Sequence, residues 1–131
     1  MREIKFRGKD MSGCWVYGLL TKKKIRNSGE IRYAIATGDC SLSNTIPVIE
    51  KSVGEFTGCY DSKGVEIYDG DILATPDKEC VVVYREAGEW LIGDPEIVEK
   101  AGIYDNALDF RAAGKYTVVG NIFEDKSNER N

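Results

Sequence analysis

The chain has 131 residues, with 22 acidic side chains against 18 basic ones, a net charge of −4, and 42% apolar residues. That length holds one sizeable hydrophobic core, and the apolar share excludes a disordered chain and any need for metal or disulfide staples. Histidine is absent from the sequence, which removes the usual general base and the commonest metal ligand and with them most routes to an enzyme.

The opening "MREIKFRGKD" is charged and lacks the apolar run of a signal peptide. No stretch approaches the roughly 18 apolar residues of a membrane span, so a cytoplasmic protein with no membrane contact is expected. Strand signals follow one another: "EIKFR", "CWVYGLL", "IRYAIAT", "VGEFTGC", "DILAT", "CVVVYRE", "EWLIG" and "YTVVGNIFE" are short, rich in β-branched and aromatic residues, and bounded by turn formers. "CWVYGLL" and "IRYAIAT" predict an antiparallel hairpin whose long polar tip holds "KKKIRNSGE". Ile31, Tyr33 and Ile35 alternate, which places them on one face of the returning strand. "CVVVYRE" and "EWLIG" predict a tighter hairpin around Ala87-Gly88. Only "DPEIVEKAG" and "YDNALDFRAAG" have the acidic start and glycine end of short helices, and the charged tail "DKSNERN" lacks apolar anchors.

Cys14, Cys40, Cys59 and Cys80 are spaced 26, 19 and 21 apart with no close pair, which suits zinc poorly. They are expected to be reduced, buried and small, without metal or disulfide. Charge is uneven along the chain: residues 1–65 hold 11 basic against 7 acidic side chains, net +4, and residues 66–131 hold 7 against 15, net −8. An internal echo also appears. Asp10, Gly13 and Tyr17 recur as Asp61, Gly64 and Tyr68 at an offset of 51, and Phe6 and Gly8 recur as Phe56 and Gly58 at an offset of 50, the mark of a repeated strand, Asp-x-x-Gly turn and strand.

The segment "FTGCYDSKGVEIYDGDIL" gathers the densest acidic cluster, yet it fails as a calcium loop. Counting from Asp61, positions three, five and twelve are Lys63, Val65 and Ile72, where oxygen ligands are needed. Glu66, Asp69 and Asp71 offer carboxylates without a nucleophile or an identifiable partner to tune them. Turn chemistry accounts for the segment fully: Asp61 and Ser62 cap their own backbone, Gly64 takes a left-handed φ, and Asp69-Gly70 repeats the device. No catalytic residue, cofactor or metal site is expected.

The opening "MREIKFRGKD", the central "GEFTGCYDSKGVEIYDGDIL" and the closing "VVGNIFED" together resemble the YopX family, small proteins encoded mainly by bacterial phages and prophages. Cys59 stands where the family's central run usually has leucine. The resemblance implies a mostly β fold containing an SH3-type barrel, with no established activity and no catalytic residues to transfer. The residues agree with a mainly β protein: a small SH3-like barrel over about 53–124, a hairpin region over 1–52 packing on it, and a flexible tail over 125–131. Its expected core comprises Phe56, Ile67, Ile72, Val81, Val83, Trp90, Ile92, Val118 and Ile122.

Two functions follow as expectations. The first is a non-enzymatic phage or prophage accessory protein that binds protein, either an unidentified host or phage partner or copies of itself as a homo-oligomer, with Tyr60, Tyr68 or Tyr104 as anchors. The second is a nucleic-acid binder that uses Lys22, Lys23, Lys24, Arg26 and Arg32 around one hairpin tip near Trp15, Tyr17 and Tyr33. A sequence pI near 5.0 argues against the second.

Overall fold

The computed structural model describes residues 4–37, 45–76, 81–86, 88–104 and 106–123. The chain divides into two compact units, Met1–Phe56 and Thr57–Asn131. The fold is mainly β, and every strand pairing with a register is antiparallel. Among the described residues no helix is long and apolar enough to cross a membrane.

The first unit contains β1 (Phe6–Lys9), β2 (Trp15–Lys24), β3 (Ile31–Ala36), β4 (Thr45–Val48), a 3-10 turn at Glu50–Ser52 and the start of β5 (Gly54–Tyr60). Hydrogen-bonded neighbours run β4, β3, β2, β1, β5. Opposed residues share a face in an antiparallel pair, so the registers Leu20↔Ile35, Ile35↔Ile46 and Tyr33↔Val48 gather apolar side chains on one side. There Val16, Ile35 and Val48 are buried, with Phe6, Leu20, Tyr33, Ile46 and Val53 packed against them. The alternation of Ile31, Tyr33 and Ile35 holds, but burial falls off along it: Ile35 is fully buried and Ile31 is 52% exposed.

The hairpin tip is shorter than the sequence implied. Strand β2 continues through Lys24, and only Ile25 to Glu30 turn, closed by Ile25 N–H donating to Glu30 O at 2.7 Å and Gly29 N–H donating to Ile25 O at 2.8 Å. Ladder bonds involve only backbone groups, and lysine stems lie along a strand without penalty, so three lysines in a row do not end it. Strand β4, "TIPV", is not among the strands expected from the sequence, and its Pro47 is a residue that argues against a strand. It lies at the sheet edge, where a missing donor is tolerated.

The second unit holds the rest of β5, which neighbours β6 (Glu66–Tyr68), and a five-stranded sheet in the order β10, β9, β8, β7, β11. These strands are β7 (Asp71–Ala74), β8 (Val81–Glu86), β9 (Glu89–Gly93), β10 (Asn106–Ala107) and β11 (Thr117–Asn121). Helices α1 (Pro95–Ala101) and α2 (Phe110–Ala113) sit in the two segments that carried helix signals, capped by Asp94 and Asp109 through their side chains. Gly88 in the β8–β9 turn has φ +84°. The core comprises Cys59, Ile67, Leu73, Val83, Trp90, Ile92, Leu108, Ala113 and Tyr116, with Val118 packed against it. Among the described residues the five-stranded sheet is open, with edges at β10 and β11, and no closed barrel is formed.

Several core expectations shift by one residue. Leu73 is fully buried and Ile72 only half-buried, because Asp71 beside it turns inward and is 1% exposed. Ile122 is 41% exposed. A bulge between Val118 and Gly120 resets the alternation of β11, so Asn121 faces in and Ile122 faces out. Cys59 is buried and not in a disulfide, whereas Cys14 is exposed because it lies at the end of a turn rather than in the sheet interior. Cys40, Cys80, the Val81 side chain and the tail lie outside the described residues.

Candidate functional site

The acidic segment is a scaffold. Asp61 is 6% exposed, and its Oδ1 accepts from the N–H groups of Lys63 and Val65 at 2.8 and 2.9 Å. Its Oδ2 accepts from Val118 N–H at 2.9 Å, across 57 residues. Burial pushes this carboxyl up, but the hydrogen bonds from Val118, Val65 and Lys63 and the Lys63 charge together outweigh it and hold the pKa below the ordinary value. Asp71 accepts from Tyr68 N–H at 2.7 Å, and Glu66 accepts from the Tyr68 hydroxyl at 2.9 Å. Among the described residues no three His, Cys, Asp or Glu side chains are grouped to hold a metal ion.

The turn at Asp10 is built the same way. Asp10 N–H donates to Cys14 O and Gly13 N–H to Asp10 O, just as Asp61 N–H donates to Val65 O and Gly64 N–H to Asp61 O. Asp10 Oδ1 accepts from Ser12 N–H and Cys14 N–H, both at 2.9 Å, and from the Ser12 hydroxyl at 2.7 Å. The hydroxyl bond first, then the Cys14 N–H, keep this carboxyl below its ordinary pKa. Gly13 and Gly64 take φ +91° and +81°. The sequence echo is thus a repeated turn.

The predicted cationic cluster is split by the strand that carries it. Lys22 and Lys24 lie opposite Tyr33 and Ile31, on the face that holds the apolar cluster of the first unit, and the Lys22 ammonium stands 5.8 Å from the Tyr33 ring centre. Lys23 lies opposite Arg32 on the other face, with Thr21, Leu19, Tyr17 and Trp15 along the same strand. Arg26 is at the tip, and Arg32 pairs with Glu30 at 3.4 Å.

That second face also carries residues which the sequence did not single out. Arg7 and Lys9 of β1 lie opposite Tyr17 and Trp15, and both cations sit over the Trp15 ring, at 4.6 and 5.4 Å from its centre. Lys5 stands 5.4 Å from the Phe56 ring centre. Tyr17 and Leu19 are 45% and 43% exposed on this face, between the Lys9–Trp15 end and the Lys23–Arg32 pair. The signal was present in the sequence as alternating cations in "KFRGK", but their meeting with Trp15 depends on the β1–β2 register. Of the tyrosines proposed as anchors, Tyr60 is 48% exposed, Tyr104 is half-buried, and Tyr68 is 2% exposed and so is a core residue rather than a surface anchor.

Among the described residues each unit holds an open hollow. In the first, a groove of about 320 Å³ is lined by Met11, Ile31, Tyr33, Val48 and Ile49 with Glu30, Arg32, Pro47 and Glu50. In the second, a more polar hollow of about 370 Å³ is lined by Asp109, Arg111, Lys115 and Tyr116 with Ile92, Ala107 and Ala112.

The model of the YopX protein family matches residues 5–127, nearly the whole chain. The chain belongs to the YopX family. The crystal structure of protein EF1440 from Enterococcus faecalis is similar to this YopX chain over 98% of its length and 99% of that protein's, with a TM-score of 0.52 at 20% identity, a likeness of fold alone. No curated protein matches the chain. Neither finding assigns a reaction to the YopX residues described above.

Proposed function

We propose that the chain is a non-enzymatic phage or prophage accessory protein that acts by binding protein, copies of itself included. The observation that carries this reading is the second face of the first sheet. There exposed Tyr17 and Leu19 form an apolar centre beside Trp15, rimmed by Lys9, Lys23 and Arg32. An aromatic and aliphatic centre with a charged rim is the anatomy of a protein interface. Charge supplies a complement: residues 1–56 hold 10 basic against 6 acidic side chains, net +4, and residues 57–131 hold 8 against 16, net −8. Opposite potentials on two units speed the encounter of copies more than they add affinity. The finer architecture we propose for the second unit is of the SH3 type, with the Asp61 turn standing in for the strand pairing that would close a barrel.

Nucleic-acid binding has one supporting observation, the cross-strand pair Lys23 and Arg32. The Trp15 ring is already covered by the chain's own Arg7 and Lys9, which leaves less of it for a stacked base. The acidity of the second unit repels a polyanion besides.

Light scattering coupled to size exclusion at micromolar concentration, with affinity capture from lysogenic cells, tests the reading. A mass above 14.6 kDa or a stoichiometric captured protein, lost in Tyr17→Ser/Leu19→Ser with the β circular-dichroism spectrum intact, is expected. A monomer at every concentration together with empty captures overturns it. Salt-sensitive retention of RNA or DNA that vanishes in Lys23→Glu/Arg32→Glu would transfer the assignment to nucleic acid.

A further inference from the structure

The two Asp-x-x-Gly turns share their internal bonds and differ in what lies outside them. At the Asp61 turn the start of β11 is held by three contacts. Ser62 N–H donates to Tyr116 O at 2.8 Å, Asp61 Oδ2 accepts from Val118 N–H at 2.9 Å, and the Ser62 and Thr117 hydroxyls meet at 3.0 Å. The turn therefore grips an extended backbone at two points two residues apart, a carbonyl and an N–H.

At the Asp10 turn both grips are present and unoccupied. Met11 stands where Ser62 stands, at the offset of 51. The hydrogen bonds from Ser12 and Cys14 to the Asp10 carboxylate end on Oδ1, and among the described residues nothing outside the turn is bonded to Oδ2 or to Met11 N–H. Asp10 is only partly covered and Met11 is 71% exposed. Met11 is also one wall of the groove whose other apolar lining is Ile31, Tyr33, Val48 and Ile49.

We propose that the Asp10 turn is a docking site for an extended strand of a partner protein, gripped as the Asp61 turn grips β11. The partner strand presents the carbonyl of one residue to Met11 N–H and the N–H of the residue two further on to Asp10 Oδ2. The grip is on backbone groups alone, because Met11 has no hydroxyl to meet a side chain as Ser62 meets Thr117, and the chemistry that fits is an extended segment with an apolar side chain for the groove beside Met11. The occupant is not β11 of a second copy, because that strand's carbonyl and N–H are already bound in its own unit. This inference rests on the protein-binding reading and adds to it a second contact, on the face of the sheet opposite Tyr17 and Leu19.

Asp10→Asn separates docking from folding. Asparagine keeps an Oδ1 acceptor for the local bonds and replaces Oδ2 with an amide donor, which opposes the partner's N–H. The probe is a capped synthetic peptide with the sequence of residues 114–122, GKYTVVGNI, titrated into the full-length 15N-labelled chain. The expected result is a shift of the Met11 and Ser12 amide signals and an affinity about tenfold weaker in Asp10→Asn, with the rest of its spectrum unchanged. Shifts confined to Asp61–Val65, equal affinity in the two proteins, or no shift at millimolar peptide overturn the proposal. So does a dilution-dependent shift at Met11 without peptide, which assigns the site to a second copy. Captured protein that survives Asp10→Asn sinks this docking mode and leaves the broader reading standing.

Discussion

The Asp10 and Asp61 turns have the same backbone bonds, the same positive-φ glycine and the same carboxylate cap, yet one is an exposed corner and the other a clasp. The difference lies outside the turn, where Ser62 meets Tyr116 O and the Thr117 hydroxyl and one carboxylate oxygen reaches Val118. Asp61 Oδ2 takes Val118 N–H and so fastens the last strand, whereas Asp10 confines its bonding to its own five residues. A local motif of this kind sets chain direction cheaply, and its contribution to stability comes from what the spare oxygen reaches.

The comparison is broken most forcefully by alanine. Asp61→Ala strips three backbone N–H groups of a charged acceptor, one of them on a distant strand, and should cost about 3 kcal/mol in urea unfolding. Asp10→Ala should cost far less, because its donors are exposed to water. Equal losses would show that β11 does not depend on the clasp. Asp61→Asn sharpens the point. It retains the turn and turns a donor toward Val118 N–H, so a loss of about 1.5 kcal/mol is expected, accompanied by faster amide exchange at Val118.

The glycines should behave alike where the aspartates do not. A Cβ built on Gly13 or Gly64 meets nothing within 4 Å, so Gly13→Ala and Gly64→Ala face only the backbone strain of positive φ, about 1 kcal/mol each by thermal melts. A markedly larger loss at Gly64 would mean that the Asp61 turn is strained by its strand. The smallest effect is in pH. Both carboxyls sit below the ordinary value of 3.8, so their contribution is full above that value and is lost as pH falls through the lower folded value. Acid unfolding of the wild type should therefore be steeper than that of Asp61→Asn, and melts recorded from about pH 5 downward should converge at the acid end.

How much of this was legible follows from the range of the interactions. The turn repeat could be read directly, since an aspartate and a glycine three apart bond only to their neighbours. The strands were legible where alternation was clean, as at Tyr33 and Ile35. It failed at "EIYDGDIL", where Ile67 and Tyr68 are buried in succession and Asp71 faces inward, so that no two-residue period survives. The Asp61 clasp and the placing of Arg7 and Lys9 over Trp15 were beyond reach because each depends on pairing across the chain. The cationic run misled for a related reason: "KKK" looks like a solvated tip, and only the β2–β3 register shows that its middle lysine faces away from the other two.

The reach of Asp61 also orders events in time. The Asp10 turn is complete once Cys14 has been made, but the clasp waits for Val118, 57 residues after Asp61. At cellular synthesis rates that interval is about 3–11 s. From the making of Ala74 until Thr117 follows, β7, whose outer neighbour is β11, presents an unpaired edge in the second unit. The newborn chain thus has its period of greatest exposure to mispairing late in synthesis, and a ribosome pause placed before Thr117 would lengthen it.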